Sequence, residues 1–401
     1  MKIYLIGTGM GGGGTLTADG RRAIAEAETL IGAPRMLETE EVRESAKPKF
    51  ASYSPQDIAE YLSRGGYGCA AVLLSGDASF YSGAKRLAAG LKEHDVKIIP
   101  GISSFSYMCA LTGASIEDTE AVSLHGRDGS VVCRVRDNRR TFVLPGRPED
   151  AGRICAELAR YGMDCCTVYI GSRLGYSDER LIKLHPSEYK SRAAAPAALM
   201  IENPHPKRLL GKHIRDGEFI RGGVPMTKDA VRALSAAALD PPPGGVIYDI
   251  GAGTGSVAVE LSLRSHDVTV YAVERDAEAA ELIRANRRKF CADNIKVAEG
   301  EAPAALEPLP PPDCAFIGGS GGNMDGIIEA VLKKNQRAVI VVNTVTLNSA
   351  SALMRAAERL GLEISASLIS AAHSKKAGGS LMMLGENPVY IFRLWRDCDG
   401  E

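Results

Sequence analysis

Apolar positions recur along this chain in two alternating textures. Short runs such as "IYLIG" at 3–7 and "CAAVLL" at 69–74 are nearly all hydrophobic, whereas the stretches between them repeat apolar residues every three or four positions. The first texture reads as buried strands and the second as one-sided helices. Their alternation predicts parallel, helix-covered sheets, an α/β fold in both halves. In the first half the pattern predicts strands at 2–6, 69–75, 96–99, 120–125 and 140–144, and helices at 17–28, 82–93, 103–110 and 149–161. Two later strands fall in "CCTVYIGSRLG" and "ALMIEN". Near residue 203 the texture changes to "NPHPKRLLGKHIRDGEFIRGG", which is polar, proline-bearing and short of periodic apolar residues. That marks a seam between two domains, 1–205 and 206–401, expected to fold separately.

The second half restarts with a predicted helix at 227–238 that stops at "PPPGG". Strands come next at 246–250, 268–273, 295–298, 314–318 and 337–342, with helices at 256–264, 277–288, 324–334 and 349–360. Two β-rich runs, 363–371 and 388–394, end the pattern without a helix between them, which predicts a terminal antiparallel hairpin.

Length and composition narrow the class. A chain of 401 residues is too long for one ordinary core and fits two domains. Hydrophobic residues make up 45% and charged residues 24%, as in soluble globular enzymes. A net charge of −1 and a pI near 6.7 leave no global basic footprint, which argues against a nucleic-acid partner. The nine cysteines form no C-x-x-C pair and read as reduced thiols of a cytoplasmic protein. The seven histidines show no H-x-x-x-H spacing, which argues against a protein-bound metal. No apolar run approaches the roughly 18 residues of a membrane span, and "MKIYLIGTG" is too short for a secretory signal. A closed homo-oligomer is expected on the general prevalence of symmetric assemblies.

Candidate chemistry centres on two glycine-rich loops entered from apolar strands. The second, "YDIGAGTGSV" at 248–257, reads G-A-G-T-G rather than G-x-G-x-x-G. Its glycines permit a tight turn and close backbone approach to a ligand. Asp249, two residues earlier, would sit badly against a pyrophosphate and well against an ammonium or sulfonium group. Glu274 ends the next strand, 23 residues past Gly251, where an acid accepts ribose hydroxyls. Glu301, in "AEGEAP", ends the third strand, where an adenine amino group is within reach. Each acid alone reads best as a solvated loop residue; three at successive strand ends read as a nucleotide site.

This pattern resembles motif I and its partners in the Rossmann-like class I S-adenosylmethionine (SAM) methyltransferases, over roughly 222–395. "RGGVPMTK", "FIGGSGG", "VVNTVTL" and "NPVYIF" are similar to stretches of the methyltransferases acting at carbon 15 of the corrin precursor. The resemblance implies cofactor contacts at Thr227, Asp249, Gly251, Ala252, Gly253, Thr254, Gly255, Glu274, Glu301 and Ala302.

The first loop, "GTGMGGGG" from Gly7, is a weak dinucleotide site because no acid closes a second strand. The stretches downstream of it are more informative: "LLSGDASFYSGAKRL" with Gly76-Asp77 at a strand end, "IIPGISSFSYMCALTG" with a Ser103-Ser104 helix start, "VSLHGR" and "GSRLGYSDER". Asp77 alone reads as a cap for the next helix, and His125 as a satisfied loop histidine. In this order the motifs resemble those of the tetrapyrrole methylases, over roughly 1–202, which bind folded SAM between two α/β lobes. The branch methylating carbon 5 of the corrin precursor is the most similar. Met10 and Ala78 stand where that family usually has proline. The resemblance implies cofactor contacts at Gly7, Gly9, Asp77, Ser103 and Ser104.

Both families in this order resemble the bifunctional precorrin methyltransferases (decarboxylating). The resemblance implies one SAM per domain, methyl transfer to carbons 5 and 15 of a tetrapyrrole of the precorrin-6Y kind, with or without cobalt, and loss of carbon dioxide from the carbon 12 acetate. Candidate carboxylate holders are Arg221, Lys228, His373, Lys375 and Lys376, each equally readable as a solvated charge. The rival readings are an RNA methyltransferase, disfavoured by the neutral charge, and a non-catalytic nucleotide-binding scaffold.

Overall fold

The computed structural model describes residues 1–11, 14–126, 129–190 and 198–397. The chain forms two compact units. One comprises Met1–Gly129 and Asn138–Pro206; the other comprises Ser130–Asp137 and the chain from Lys207 onward.

In the first unit, β1 (Lys2–Gly7), β2 (Thr29–Gly32), β3 (Lys49–Ala51), β4 (Cys69–Leu74) and β5 (Asp95–Ile99) form a parallel sheet in the order β3-β2-β4-β1-β5. Alternate residues of β1 face opposite layers: Tyr4 and Ile6 enter one core cluster, Ile3 and Leu5 the other. Burial on both faces explains why these strands read as continuous apolar runs. A second sheet is built from β6 (Glu120–Ser123), β7 (Arg140–Leu144), β8 (Thr167–Ser172), β9 (Arg180–Leu184) and β10 (Ala198–Glu202), in the order β6-β7-β10-β8-β9. Only β6 and β7 run parallel; the other neighbours are antiparallel. The pattern of hydrophobicity misses β2, β3 and β9, each five residues or fewer, and the helix Pro55–Gly65.

The second unit holds β11 (Val246–Ile250), β12 (Thr269–Glu274), β13 (Ile295–Glu299), β14 (Cys314–Ile317), β15 (Val339–Thr344), β16 (Glu363–Ile369), β17 (Ala372–Ala377), β18 (Ser380–Gly385) and β19 (Val389–Trp395). Seven of them form one sheet, ordered β13-β12-β11-β14-β15-β19-β16. The first five are parallel, and β19 runs antiparallel between β15 and β16. The expected antiparallel pair is therefore present as β16 and β19. Between them lies a further hairpin, β17–β18, turning at Gly378-Gly379 and exposed on both faces. The strand order reverses between β11 and β14, so a crevice opens beyond their carboxyl ends, where open α/β sheets place ligands.

Two expectations about the seam are corrected. It does bury apolar side chains: Ile214 and Phe219 lie in the core of the second unit. The Phe219 ring sits 5.1 Å from that of Phe290 and under the Arg232 guanidinium. Nor is the second unit one continuous piece, because the short helix Val132–Asp137 is part of it. Asp293 accepts the amides of Val131, Val132 and Cys133, each at 2.9 Å, and so caps that helix from outside.

Candidate functional site

The crevice of the second unit is a cavity of about 1010 Å³. Thr227, Asp249, Gly251, Ala252, Gly253, Thr254, Glu274, Glu301 and Ala302 all line it. Of the sequence-derived set only Gly255 lies outside. A Cβ there would meet Ile283 at 3.1 Å, so this glycine admits the helix Ala277–Lys289 against the loop rather than facing the cavity.

The loop is built by backbone crowding. Gly251, Gly253 and Gly255 all have positive φ, near 70°, 56° and 74°. A Cβ on Gly251 would fall 2.7 Å from the Gly319 carbonyl oxygen and 2.9 Å from its amide, because the loops after β11 and β14 touch main chain to main chain. Gly319 itself faces open space. Gly251→Ala is therefore expected to destabilise the second unit by about 2–4 kcal/mol, combining left-handed strain with overpacking. Gly319→Ala should change it by less than about 0.5 kcal/mol. Denaturant titration of both variants checks the pair, and equal effects would contradict this packing.

Asp249, on β11, is 1% exposed, and neither carboxylate oxygen makes a hydrogen bond of normal geometry. Burial, reinforced by the charge of Glu274 and only partly offset by the Ala258 amide, pushes its carboxyl up to about 7. The Thr254 hydroxyl is likewise buried and unpartnered. Glu274 differs: one oxygen accepts the Gly253 amide at 2.8 Å, and the other accepts those of Arg275 and Asp276 at 2.9 and 3.0 Å. A carboxylate offers roughly four acceptor positions, so about one stays open toward the cavity. Glu301 is exposed and pairs with Arg275 at 2.8 Å.

Residues 224–228 border the cavity and pack over the glycine loop, with the Pro225 carbonyl 3.2 Å from the position of a Cβ on Gly253. Their anchor is a residue that sequence reasoning misses. Arg232, fully buried in the helix Asp229–Leu239, donates to the Thr227 carbonyl at 2.7 Å, to Asp216 at 3.0 Å and to the Ile214 carbonyl. An arginine inside an apolar helical stripe is the available signal. Of the candidate carboxylate holders, Lys228 lines the cavity, whereas Arg221, His373, Lys375 and Lys376 do not.

In the first unit Gly7, Gly9, Asp77, Ser103 and Ser104 gather at the carboxyl ends of β1, β4 and β5. Gly9 and Gly76 exchange main-chain hydrogen bonds at 3.0 and 2.8 Å. A Cβ on Gly7 would lie 2.7 Å from both the Gly76 oxygen and the Gly101 nitrogen. Asp77 does not cap the next helix, Ala84–Gly90, which has no side-chain cap. It accepts instead the amides of Ser79 at 2.6 Å and Gly101 at 3.3 Å, fastening two loops. Ser103 caps the helix Ser104–Thr112 through the Ser106 amide, and Ser104 opens that helix. His125 is exposed, its amide on the Ser123 hydroxyl. Gly12 and Gly13 of the tetraglycine run lie outside the described residues.

Fold and sites define the class: a two-sheet methylase architecture in the first unit and a Rossmann-like methyltransferase architecture in the second. Comparison with known proteins narrows it. Residues 2–188 match the family model of tetrapyrrole (corrin/porphyrin) methylases, and residues 218–396 that of the precorrin methyltransferase domain. The chain is 32% identical to a precorrin-6Y C(5,15)-methyltransferase [decarboxylating] from Sinorhizobium sp., over 90% of this chain and 88% of that protein. A probable cobalt-precorrin-6B C(15)-methyltransferase (decarboxylating) from Pyrobaculum calidifontis is 40% identical over 42% of this chain and 88% of its own length. A solved precorrin-6Y C5,15-methyltransferase structure from Geobacter metallireducens is 36% identical, covering 47% of this chain and 97% of that one with a TM-score of 0.45. The chain belongs to the precorrin-6Y C(5,15)-methyltransferase (decarboxylating) family.

Proposed function

We propose that the chain methylates a corrin precursor, precorrin-6Y or its cobalt-bearing counterpart, at carbon 5 through residues 1–205 and at carbon 15 through residues 206–401. The second activity includes loss of carbon dioxide from the carbon 12 acetate, and each unit holds its own SAM. The observation carrying this reading is the buried carboxylate of Asp249, which makes no hydrogen bond of normal geometry, beneath the Gly251–Gly253 turn. A buried acid with no well-formed hydrogen bond is costly unless a cation completes it, and the ammonium and sulfonium of SAM meet that need. SAM, when bound, supplies an activated methyl group on a sulfonium.

The residues then have separable tasks. Asp249 balances the ligand's positive charge, and the glycine turn presents amides at close range. Glu274 keeps that turn in shape and has one acceptor position left for a ribose hydroxyl. Glu301 faces the adenine end with Ala302 beside it, and Thr227, fixed by Arg232, closes the opposite wall. In the first unit Gly7, Gly9, Asp77, Ser103 and Ser104 form the corresponding cradle. Meso carbons of a reduced tetrapyrrole are electron-rich, so holding acceptor and donor in line supplies much of the acceleration.

Calorimetry with SAM tests the two-site claim on the full chain. Glu274→Gln should weaken one site about 10- to 100-fold by losing a charged acceptor, and leave the other unchanged. Gly9→Val places a branched side chain 2.5 Å from the Thr15 carbonyl at a φ of 69°, and should abolish only the other site, together with carbon 5 methylation. Wild-type protein binding a single SAM, or both variants weakening the same site, would refute the assignment.

A further inference from the structure

The cavity is asymmetric in its chemistry. Asp249, Glu274 and Glu301 lie at the ends of β11, β12 and β13. The lining away from them is contributed by Lys228, by Asn343 on β15, and by Gly385-Glu386-Asn387 at the base of the β17–β18 hairpin. Asn343 is held by its amide, which donates to the Ser235 hydroxyl at 3.0 Å, while that hydroxyl donates to the Val231 carbonyl at 2.8 Å. Glu386 is fixed through its amide, which donates to the Ala371 carbonyl at 2.8 Å. Its carboxylate is 22% exposed and stands 3.6 Å from His373 Nε2. The same nitrogen lies 3.6 Å from Asp229, and the His373 side chain is 53% exposed. Solvent, His373, Glu386 and cavity thus succeed one another in a line.

The proposed reaction needs such a line. Decarboxylation breaks the bond between the acetate methylene and its carboxyl carbon. Carbon dioxide leaves, and the bonding electron pair stays with the conjugated macrocycle. The methylene becomes a methyl group only when that pair takes up one proton at the carbon. SAM delivers a methyl cation, and carbon 15 gives up its own proton in exchange; the acetate methylene must still be handed a proton by a group standing beside it.

We propose that Glu386 donates this proton at the carbon 12 substituent and that His373 resupplies Glu386 from solvent. This rests on the corrin-precursor reading above. Asp229 and Glu386 each stand 3.6 Å from His373 Nε2, so the imidazole lies between two carboxylates. Lys375 lies on the same strand face two residues along, exposed to solvent. Lys228, next in the chain to Asp229, pairs with Asp216 at 3.9 Å.

The test measures methylation and loss of carbon dioxide separately, by product mass, with the full chain, SAM and the carbon 5-methylated precursor. Glu386→Gln should slow decarboxylation about 100- to 1,000-fold, the range for a lost general acid, while SAM affinity at the second site is unchanged. His373→Gln, farther from the cavity, should slow it about tenfold near neutral pH. Both substitutions should alter the pH dependence of decarboxylation and leave that of methylation as in the wild type. A merely structural pair would change SAM binding or melting temperature without separating the two products. Wild-type decarboxylation rates in Glu386→Gln with an unaltered pH profile would overturn the relay. A wild-type chain that neither methylates nor decarboxylates the precursor would overturn the parent reading and the relay together.

Discussion

Asp249→Asn is expected to make the ligand-free protein more stable at pH 8 and at the same time weaken its grip on SAM by about two orders of magnitude. The side chain keeps its shape, so packing is unchanged, and the two effects share one electrostatic origin. Burial raises the Asp249 carboxyl from its ordinary value of 3.8 to about 7. The folded state therefore favours the protonated form. Its stabilising contribution is complete below the unfolded value and is lost as pH climbs through the folded one. Holding the carboxyl near 7 instead of 3.8 corresponds to roughly 4 kcal/mol of destabilisation at pH 8, which the neutral amide relieves. Ligand binding reverses the sign, since a cation seated against the carboxylate converts the penalty into a charged contact of about 1.5–3 kcal/mol. The wild type should accordingly bind SAM more weakly as pH drops below about 7, and Asp249→Asn should show no such slope. Thermal melts at pH 5 and 8, paired with calorimetry at both, separate these effects. An asparagine variant that melts lower at pH 8, or binds as tightly as wild type, would remove Asp249 from the site.

How much of the molecule is legible in the sequence depends on what each residue is buried against. β1, β4, β11 and β12 announce themselves because both faces are covered, which leaves apolar runs that polar residues do not interrupt. The hairpin β17–β18 has the opposite character: with both faces exposed it has no alternation to detect, and only its Gly378-Gly379 turn betrays it. Ser54 and Pro55 are a sound start signal for the helix Pro55–Gly65, which a reading weighted toward long apolar stretches passes over. Asp249 can be placed from its distance to the glycines, because strand and turn geometry are local. That Glu274 spends most of its acceptor capacity on main-chain amides is a tertiary fact, as is the burial of Arg232. The helix Val132–Asp137 is the least legible element. Its partner Asp293 lies some 160 residues away in sequence, and nothing in "SVVCRVRD" names it.

That helix makes cutting the seam a different experiment from the one its polar texture suggests. A chain nicked between His205 and Lys207 should not release two pieces, because residues 130–137 travel with the first fragment and remain seated in the second. The seat is well specified. Arg136, 1% exposed, pairs with Asp137 at 2.6 and 2.9 Å and donates to the Phe290 carbonyl at 2.8 Å. Asp137 also accepts from His266 at 2.7 Å and from the Leu209 amide at 2.6 Å. Burial alone would raise the Asp137 carboxyl, yet His266 and Arg136 outweigh it and hold it well below the usual range. A depressed carboxyl stabilises above its unfolded value of 3.8 and loses that contribution as pH falls, so the nicked fragments should separate on acidification below about 4. Asp293→Ala attacks the same contact at neutral pH. It strands three buried amides at about 1–3 kcal/mol each, enough to cost several kcal/mol and free the segment. Size-exclusion chromatography after nicking should therefore show one peak for wild type at pH 7 and two for Asp293→Ala. The second fragment alone, 207–401, should melt below the nicked pair and recover when a peptide spanning 129–138 is added. Wild-type fragments that part freely at pH 7 would show that the helix contributes little, despite its buried charges.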